Sequence, residues 1–157
     1  MTIGIIGEGA IGRYVRAHLD AVAVSLVRPA RMDGRAGRVA SVGDLPDDVD
    51  LMIDCAGHGA LAEHGPAILA RGIDLVTVSL GALADDALRT ALRAAAERGG
   101  ARLHLASGAI GALDCLAAAR VGGLEAVTYT GRKPPAGWHG SPAEAALDLG
   151  ALTAAAI

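Results

Sequence analysis

The chain has 157 residues, of which 14 are Lys or Arg and 17 are Asp or Glu, so its formal net charge is −3. This weakly acidic balance argues against a nucleic-acid partner, because phosphate backbones bind basic surfaces, and aromatic residues for base stacking make up only 2% of the chain. No apolar run approaches the roughly 18 residues that cross a bilayer. The first predicted strand begins beside Met1 without a leader, so we expect a cytoplasmic protein that has no membrane partner.

Short apolar runs alternate with alanine-rich helical stretches along most of the chain, and this alternation is typical of βαβ units. Strands are predicted at residues 3–6, 22–27, 38–42, 51–55, 75–79 and 102–105. Helices are predicted at residues 10–19, 60–70, 85–98 and 113–121. The predicted fold is therefore α/β, with a Rossmann-type doubly wound parallel sheet.

The last third of the chain changes in character. Residues 125–130 predict a longer strand, and a proline-containing segment and an alanine-rich tail follow it. A tail of this length is shorter than a domain, which seldom has fewer than about 50 residues. We therefore expect a Rossmann domain at residues 1–123 and, at 124–157, the beginning of a second domain that this sequence does not complete.

The two cysteines, Cys55 and Cys115, are far apart in the sequence. They lack the short spacing of a metal site or a redox pair. We therefore predict no metal site and expect both side chains to be buried, reduced thiols that pack as small hydrophobic groups.

The segment Gly7-Glu8-Gly9-Ala10-Ile11-Gly12 fits the G-x-G-x-x-G pattern, directly after the first strand and at the start of the first helix. Gly7 permits the tight turn, Gly9 lets the backbone approach a pyrophosphate, and Gly12 lets the helix lie close to the strand. The helix N-terminus, at Ala10 and Ile11, supplies free N–H groups and a partial positive charge. The segment predicts binding of NAD or NADP; the alternative is a glycine-rich turn of purely structural importance.

Arg28 occupies the position expected to contact the adenosine ribose, which falls about 20 residues after the first glycine of the pattern. A guanidinium cannot accept a hydrogen bond from the 2′-hydroxyl of NAD, but it can pair with the 2′-phosphate of NADP. We therefore predict that NADP is at least tolerated, with Arg31 as a second contact. The alternative is that Arg28 is a solvated loop residue.

Three further segments follow predicted strands, at the end of the sheet where doubly wound folds bind their ligands. They are residues 55–59, 79–83 and 106–111, and the third can present backbone N–H groups to a carboxamide or carboxylate. Their candidate cofactor-binding residues are Ala56, Gly57, His58, Ser79 and Gly81. Each segment is equally compatible with an ordinary loop.

These segments, in this order, resemble the L-aspartate dehydrogenase family. The resemblance rests on residues 7–12, 54–58, 78–83, 107–114 and 129–135, of which the last two are the most specific, and it covers essentially the whole chain. It implies a domain that binds NAD or NADP, followed by an α/β domain that supplies most of the substrate pocket and the homodimer contacts. The implied reaction moves a hydride from the α-carbon of L-aspartate to the nicotinamide. The product, iminoaspartate, serves NAD biosynthesis or is converted by water to oxaloacetate and ammonia.

The resemblance also implies roles for individual residues. Ala109 is expected to lie in the loop that contacts the nicotinamide end of the cofactor, with His58 and Ser79 close to the same end. The family's cofactor-contacting Asn and catalytic His belong to segments beyond the last residue of this sequence, so the catalytic residues stay unknown. We expect cofactor binding with little turnover by these 157 residues. Two alternatives stay open: a non-enzymatic NAD(P)-binding module, and an oxidoreductase of another substrate class on the same domain.

Overall fold

Parallel strands position the candidate site. The computed structural model describes residues 1–20, 22–107 and 111–152. Within these residues the strands are β1 (Thr2–Ile6), β2 (Val22–Leu26), β3 (Arg38–Val39), β4 (Val49–Asp54), β5 (Asp74–Thr77) and β6 (Leu103–Leu105). They form one sheet in the order β3-β2-β1-β4-β5-β6, and every neighbouring pair is parallel. The predicted Rossmann-type sheet is confirmed, and its order reverses between β1 and β4, where such sheets open a crevice for a ligand.

Helices connect the strands at the predicted places. In the described residues they are α1 (Ala10–His18), α2 (His58–Ala70), α3 (Asp86–Gly99), α4 (Leu113–Gly122) and the single turn α5 (Ala143–Ala146). The carboxylate of Asp85 caps α3 by accepting hydrogen bonds from the N–H groups of Ala87 and Leu88, and Gly100 ends the helix with a φ of 67°. The local sequence therefore sets both ends of this helix.

The hydrophobic core forms where apolar side chains of the strands meet those of α2 and α3. Its completely or almost completely buried members include Val24, Leu26, Met52, Leu61, Ile68, Leu69, Leu75 and Leu92. Burying each such aliphatic side chain contributes roughly 1.5–3 kcal/mol. The core thereby gives the loops at the carboxyl ends of the strands a rigid base.

The chain divides into two compact units, Met1–Leu116 and Ala117–Ile157, and the division falls inside α4. In the second unit the ammonium group of Lys133 lies 5.0 Å from the centre of the Trp138 ring. The strand predicted at residues 125–130 is wrong, because these residues form no strand. A strand needs a neighbouring strand to satisfy its backbone hydrogen bonds, and the sheet formed by the described residues does not include this segment.

Both cysteines are free thiols, but their burial differs from the expectation. Cys55 is half-buried at the end of β4, whereas Cys115 is exposed, so the prediction of a buried thiol is wrong for Cys115. The reason is that α4 has no buried residue among those described. None of the helices in the described ranges is both long and apolar enough to cross a membrane.

Candidate nucleotide-binding site

A cavity of about 660 Å³ opens at the carboxyl ends of β1, β2 and β4. Its wall is built from the loops that follow these three strands and from the first two turns of α2, together with Arg13 of α1 and Arg38 of β3. The volume lies within the range of roughly 300–1,000 Å³ that is usual for small-molecule and cofactor sites. The cavity also lies at the reversal of the strand order, as a ligand site of a doubly wound sheet should.

The three glycines of the loop after β1 have different surroundings. Gly7 has a φ of +85°, which favours glycine, and its N–H donates a hydrogen bond of 2.9 Å to the carbonyl of Leu26. A Cβ atom at Gly12 would lie 2.1 Å from the carbonyl oxygen of Gly7, so this glycine lets α1 approach the loop. A Cβ at Gly9 would meet no atom within 4 Å. The space beside Gly9 is therefore open to a ligand, as the proposed approach of a pyrophosphate requires.

The N-terminus of α1 faces this opening without a side-chain cap. Gly9 is the N-cap residue, no described side chain accepts from the first turn, and the following residues Ala10 and Ile11 are exposed. The guanidinium of Arg13 donates a 3.0 Å hydrogen bond to the carbonyl of Glu8 and so ties the loop to the helix. The first-turn N–H groups can therefore bind an anion, and the helix dipole favours one.

Arg28 and Arg31 lie in the loop after β2 and line the cavity. Both residues are exposed, and in the described part of the chain neither guanidinium pairs with a carboxylate. Arg28 is the N-cap residue of a short 3₁₀ turn, Pro29–Arg31, and Arg31 is its last residue. The structure thus places both predicted ribose-end residues at the cavity, with their charges available.

Glu8 and Arg38 form an ion pair at the same cavity that sequence reasoning missed. The second side of the Arg38 guanidinium pairs with Asp33, at 2.7 Å from Nη1 to Oδ2. Burial raises the pKa of Glu8, but hydrogen bonds from Arg38 and Ser25 outweigh this effect and hold that pKa below its usual value. Glu8 occupies a variable position of the glycine pattern, and Arg38 follows 30 residues later. Nothing in the sequence pairs the two residues.

Asp54 ends β4 as a fully buried residue that joins this strand to β5. Its Oδ2 accepts hydrogen bonds from Thr77 Oγ1 at 2.8 Å and from Ser79 Oγ at 2.6 Å. Its Oδ1 accepts one from the N–H of Ala56 at 3.0 Å. Because Ser79 donates its hydroxyl proton to Asp54, its oxygen is left to accept hydrogen bonds from other groups.

The remaining candidate residues lie at the ends of β4 and β5. Ala56 lines the cavity, and Gly57, with a φ of +92°, is the N-cap residue of α2. The exposed imidazole of His58 lies against Gly81, where a Cβ atom would be 2.6 Å from its Cε1. The structure thus brings together two predicted loops, those after β4 and β5. Ala109 lies outside the described residues.

Cys55 is a further wall residue of the cavity that sequence reasoning did not assign to the site. Burial, together with the nearby charge of Asp54, raises the pKa of the Cys55 thiol to about 11. This thiol is therefore protonated at neutral pH and is not poised to act as a nucleophile.

The strand order, the glycine loop and the cavity define the class of this protein: a Rossmann-type dinucleotide-binding domain. Residues 6–106 match the family model described as homoserine dehydrogenase, NAD binding domain. The chain belongs to this family of NAD-binding domains.

The comparison with curated proteins confirms the resemblance to L-aspartate dehydrogenases. The chain is 52% identical to an L-aspartate dehydrogenase of Ruegeria pomeroyi, and the alignment covers 96% of this chain and 58% of that protein. It is 57% identical to an L-aspartate dehydrogenase of Ralstonia nicotianae, over 96% of this chain and 62% of that protein. The chain therefore spans about three-fifths of the length of these relatives.

A solved structure gives the same result for the fold. The crystal structure of aspartate dehydrogenase from Thermotoga maritima matches with a TM-score of 0.62 and 29% sequence identity. The match covers 75% of this chain and 50% of that chain.

Proposed function

We propose that this chain carries the cofactor-binding part of an NAD(P)-dependent L-aspartate dehydrogenase. The observation that carries the proposal is that relatives with this name are 52% and 57% identical to it over 96% of its length. The proposed reaction is the oxidative deamination of L-aspartate to iminoaspartate, which water converts to oxaloacetate and ammonia. Bound nicotinamide would supply the hydride acceptor.

The residues around the cavity are suited to hold the cofactor. The loop Gly7–Gly12 and the uncapped start of α1 would bind the pyrophosphate, because they combine open space at Gly9 with free N–H groups. Arg28, with Arg31, would bind the adenosine end and accept a 2′-phosphate. The hydrogen bonds to Asp54 would hold the β4 and β5 loops in fixed positions.

The nicotinamide end is proposed to lie near residues of the three later loops. These residues are Ala56, Gly57, His58, Ser79, Gly81 and Ala109. The contact between His58 and Gly81 supports a shared site for the loops after β4 and β5.

The proposal extends to partners and location. The substrate would be L-aspartate, and the protein would form a homodimer through a second domain that begins near residue 124. A cytoplasmic location fits the two unpaired cysteines, because reducing compartments keep thiols free.

Cofactor binding is tested by titrating the chain with NADPH and NADH and following nicotinamide fluorescence. We expect both to bind and the Arg28→Asp variant to lose affinity for NADPH by about tenfold more than for NADH, because a charged hydrogen bond to phosphate is replaced by repulsion. Arg98→Asp is the matched control, since Arg98 is exposed at the end of α3 and does not line the cavity. An unchanged ratio of affinities in Arg28→Asp would refute the assignment of Arg28.

The substrate is tested on the product of the whole reading frame. The coding sequence after the Ile157 codon is expected to continue in frame with similarity to the remainder of the Ruegeria relative. The expressed product should form NAD(P)H when L-aspartate is added, with L-homoserine as the comparison substrate. Formation of NAD(P)H from L-homoserine alone would favour an oxidoreductase of another substrate class, and cofactor binding without any turnover would favour a non-enzymatic module.

A further inference from the structure

We propose that the Glu8–Arg38 ion pair sets the balance between NAD and NADP in this cavity, because Glu8 keeps Arg38 from binding the 2′-phosphate. The inference rests on the proposed cofactor site and adds a specificity determinant to it. Glu8 occupies a variable position of the glycine pattern and Arg38 lies outside the pattern, so the pattern predicts a role for neither side chain.

The position of Arg38 supports this role. Its guanidinium lies between two carboxylates, those of Glu8 and Asp33, and only 17% of its side chain is exposed. Both Glu8 and Arg38 line the cavity that Arg28 and Arg31 also line. A third arginine is thus present at the adenosine end of the site, but its charge is already neutralised.

The charges around Glu8 explain how the pair can work as a determinant. Glu8 also lies 3.9 Å from Nε of Arg16, whose Nη2 donates to Ser25 Oγ at 2.6 Å. Glu8 therefore keeps a cationic neighbour whether or not Arg38 is paired with it. The Glu8 carboxylate can accept a hydrogen bond from a ribose hydroxyl and repels a phosphate, so it favours NAD over NADP directly. It also favours NAD indirectly, because its ion pair keeps Arg38 from binding the 2′-phosphate.

The Glu8→Gln variant separates charge from size. Glutamine fills nearly the same volume, releases Nη2 of Arg38 to pair with a phosphate while Asp33 stays on Nη1, and removes the repulsion. We expect the affinity for NADPH to rise by about tenfold, which corresponds to one charged hydrogen bond, while the affinity for NADH stays the same or falls. When Arg38→Gln is combined with Glu8→Gln, the gain should shrink to about threefold or less, because only the loss of direct repulsion remains.

The experiment measures fluorescence titrations with NADPH and NADH for the chain, the two single variants and the double variant, after thermal melts have shown that each is folded. Arg38→Gln alone should weaken NADPH more than NADH, since it leaves the Glu8 carboxylate without that partner; this variant tests the proposal even if Glu8→Gln does not fold. Asp33→Asn is the matched control, because it removes one carboxylate from the same guanidinium but leaves Glu8 in the cavity wall. We expect it to change the ratio less than Glu8→Gln does.

Two results would overturn the proposal. The first applies if the unmodified chain binds both cofactors: the ratio of NADPH to NADH affinity in Glu8→Gln stays within about twofold of the ratio in the unmodified chain. The other is a gain of equal size with and without Arg38. If the unmodified chain binds neither cofactor, the proposed function itself fails, and this result is distinct from both of the others.

Discussion

Alanine substitutions at Gly9 and Gly12 should separate cofactor binding from folding. The two glycines lie in the same loop, but their surroundings are opposite. A Cβ atom at Gly12 would lie 2.1 Å from the carbonyl oxygen and 3.0 Å from the carbonyl carbon of Gly7, whereas one at Gly9 would meet nothing within 4 Å. Gly12 therefore has its space filled by the protein itself, and Gly9 has space available for a ligand.

The expected loss of stability follows from these contacts. Overpacking costs up to about 3 kcal/mol where the neighbour is backbone and cannot rotate away. The higher helix propensity of alanine returns about 1 kcal/mol at Gly12, which lies inside α1. The net loss in Gly12→Ala is then about 2 kcal/mol, or a melting temperature lower by about 4–8 °C for a domain of this size.

Gly9→Ala should behave differently. Alanine is a poorer N-cap than glycine by about 0.5 kcal/mol, and the reduced entropy of the unfolded chain returns about the same amount. The melting temperature should therefore stay within about 2 °C of that of the unmodified chain. The added methyl group projects into the space proposed for the pyrophosphate, so the affinity for NADH should fall by about tenfold or more through the loss of a charged hydrogen bond.

The assays are thermal melts followed by circular dichroism and NADH titrations followed by fluorescence. The reasoning would be refuted if Gly9→Ala destabilised the fold as much as Gly12→Ala does. It would also be refuted if Gly9→Ala bound NADH as tightly as the unmodified chain.

Three further predictions concern other groups of the site. Asp54→Ala should lower the free energy of unfolding, measured in urea, by about 3 kcal/mol, because it leaves the buried hydroxyls of Thr77 and Ser79 without their acceptor. A loss below about 1 kcal/mol would contradict this role of Asp54. Because burial raises the pKa of the Cys55 thiol to about 11, iodoacetamide near pH 8 should modify the exposed Cys115 well before Cys55. Equal rates of modification of the two cysteines, measured by mass spectrometry, would contradict this prediction. Burial raises the pKa of Glu8, but hydrogen bonds from Arg38 and Ser25 outweigh this effect and hold that pKa below its usual value of 4.5. The ionised Glu8 therefore stabilises the folded state above pH 4.5, and this stabilisation is lost as the pH falls through the pKa of the folded state. Urea midpoints measured across this acidic range should therefore fall less steeply in Glu8→Gln, and parallel curves would argue against the ion pair.

Elements with strong local signals were predicted well. The glycine pattern, the apolar strands and the helix predicted at residues 85–98 each depend on residues close together in sequence, and the structure has the corresponding turn, strands and helix. The strand predicted at residues 125–130 shows the limit of this reasoning. Its residues favour a strand, but a strand also requires a neighbouring strand, and the sheet of the described residues does not include this segment.

By itself, the sequence determined the fold class and the glycine-rich turn between β1 and α1, because periodicity and glycine placement act over a few residues. It also predicted, through a fixed spacing along one βαβ unit, that Arg28 lies after β2 at the ligand-binding end of the sheet, where the structure has it in the cavity wall. Only the tertiary structure decided which distant groups meet: Glu8 with Arg38, and Asp54 with Thr77 and Ser79. Pairing of β4 with β5 brings Asp54 to Thr77 and Ser79, whereas Glu8, in the loop after β1, and Arg38, on β3, meet although β2 lies between their strands. These contacts span 23 to 30 residues of sequence, and no local pattern records them.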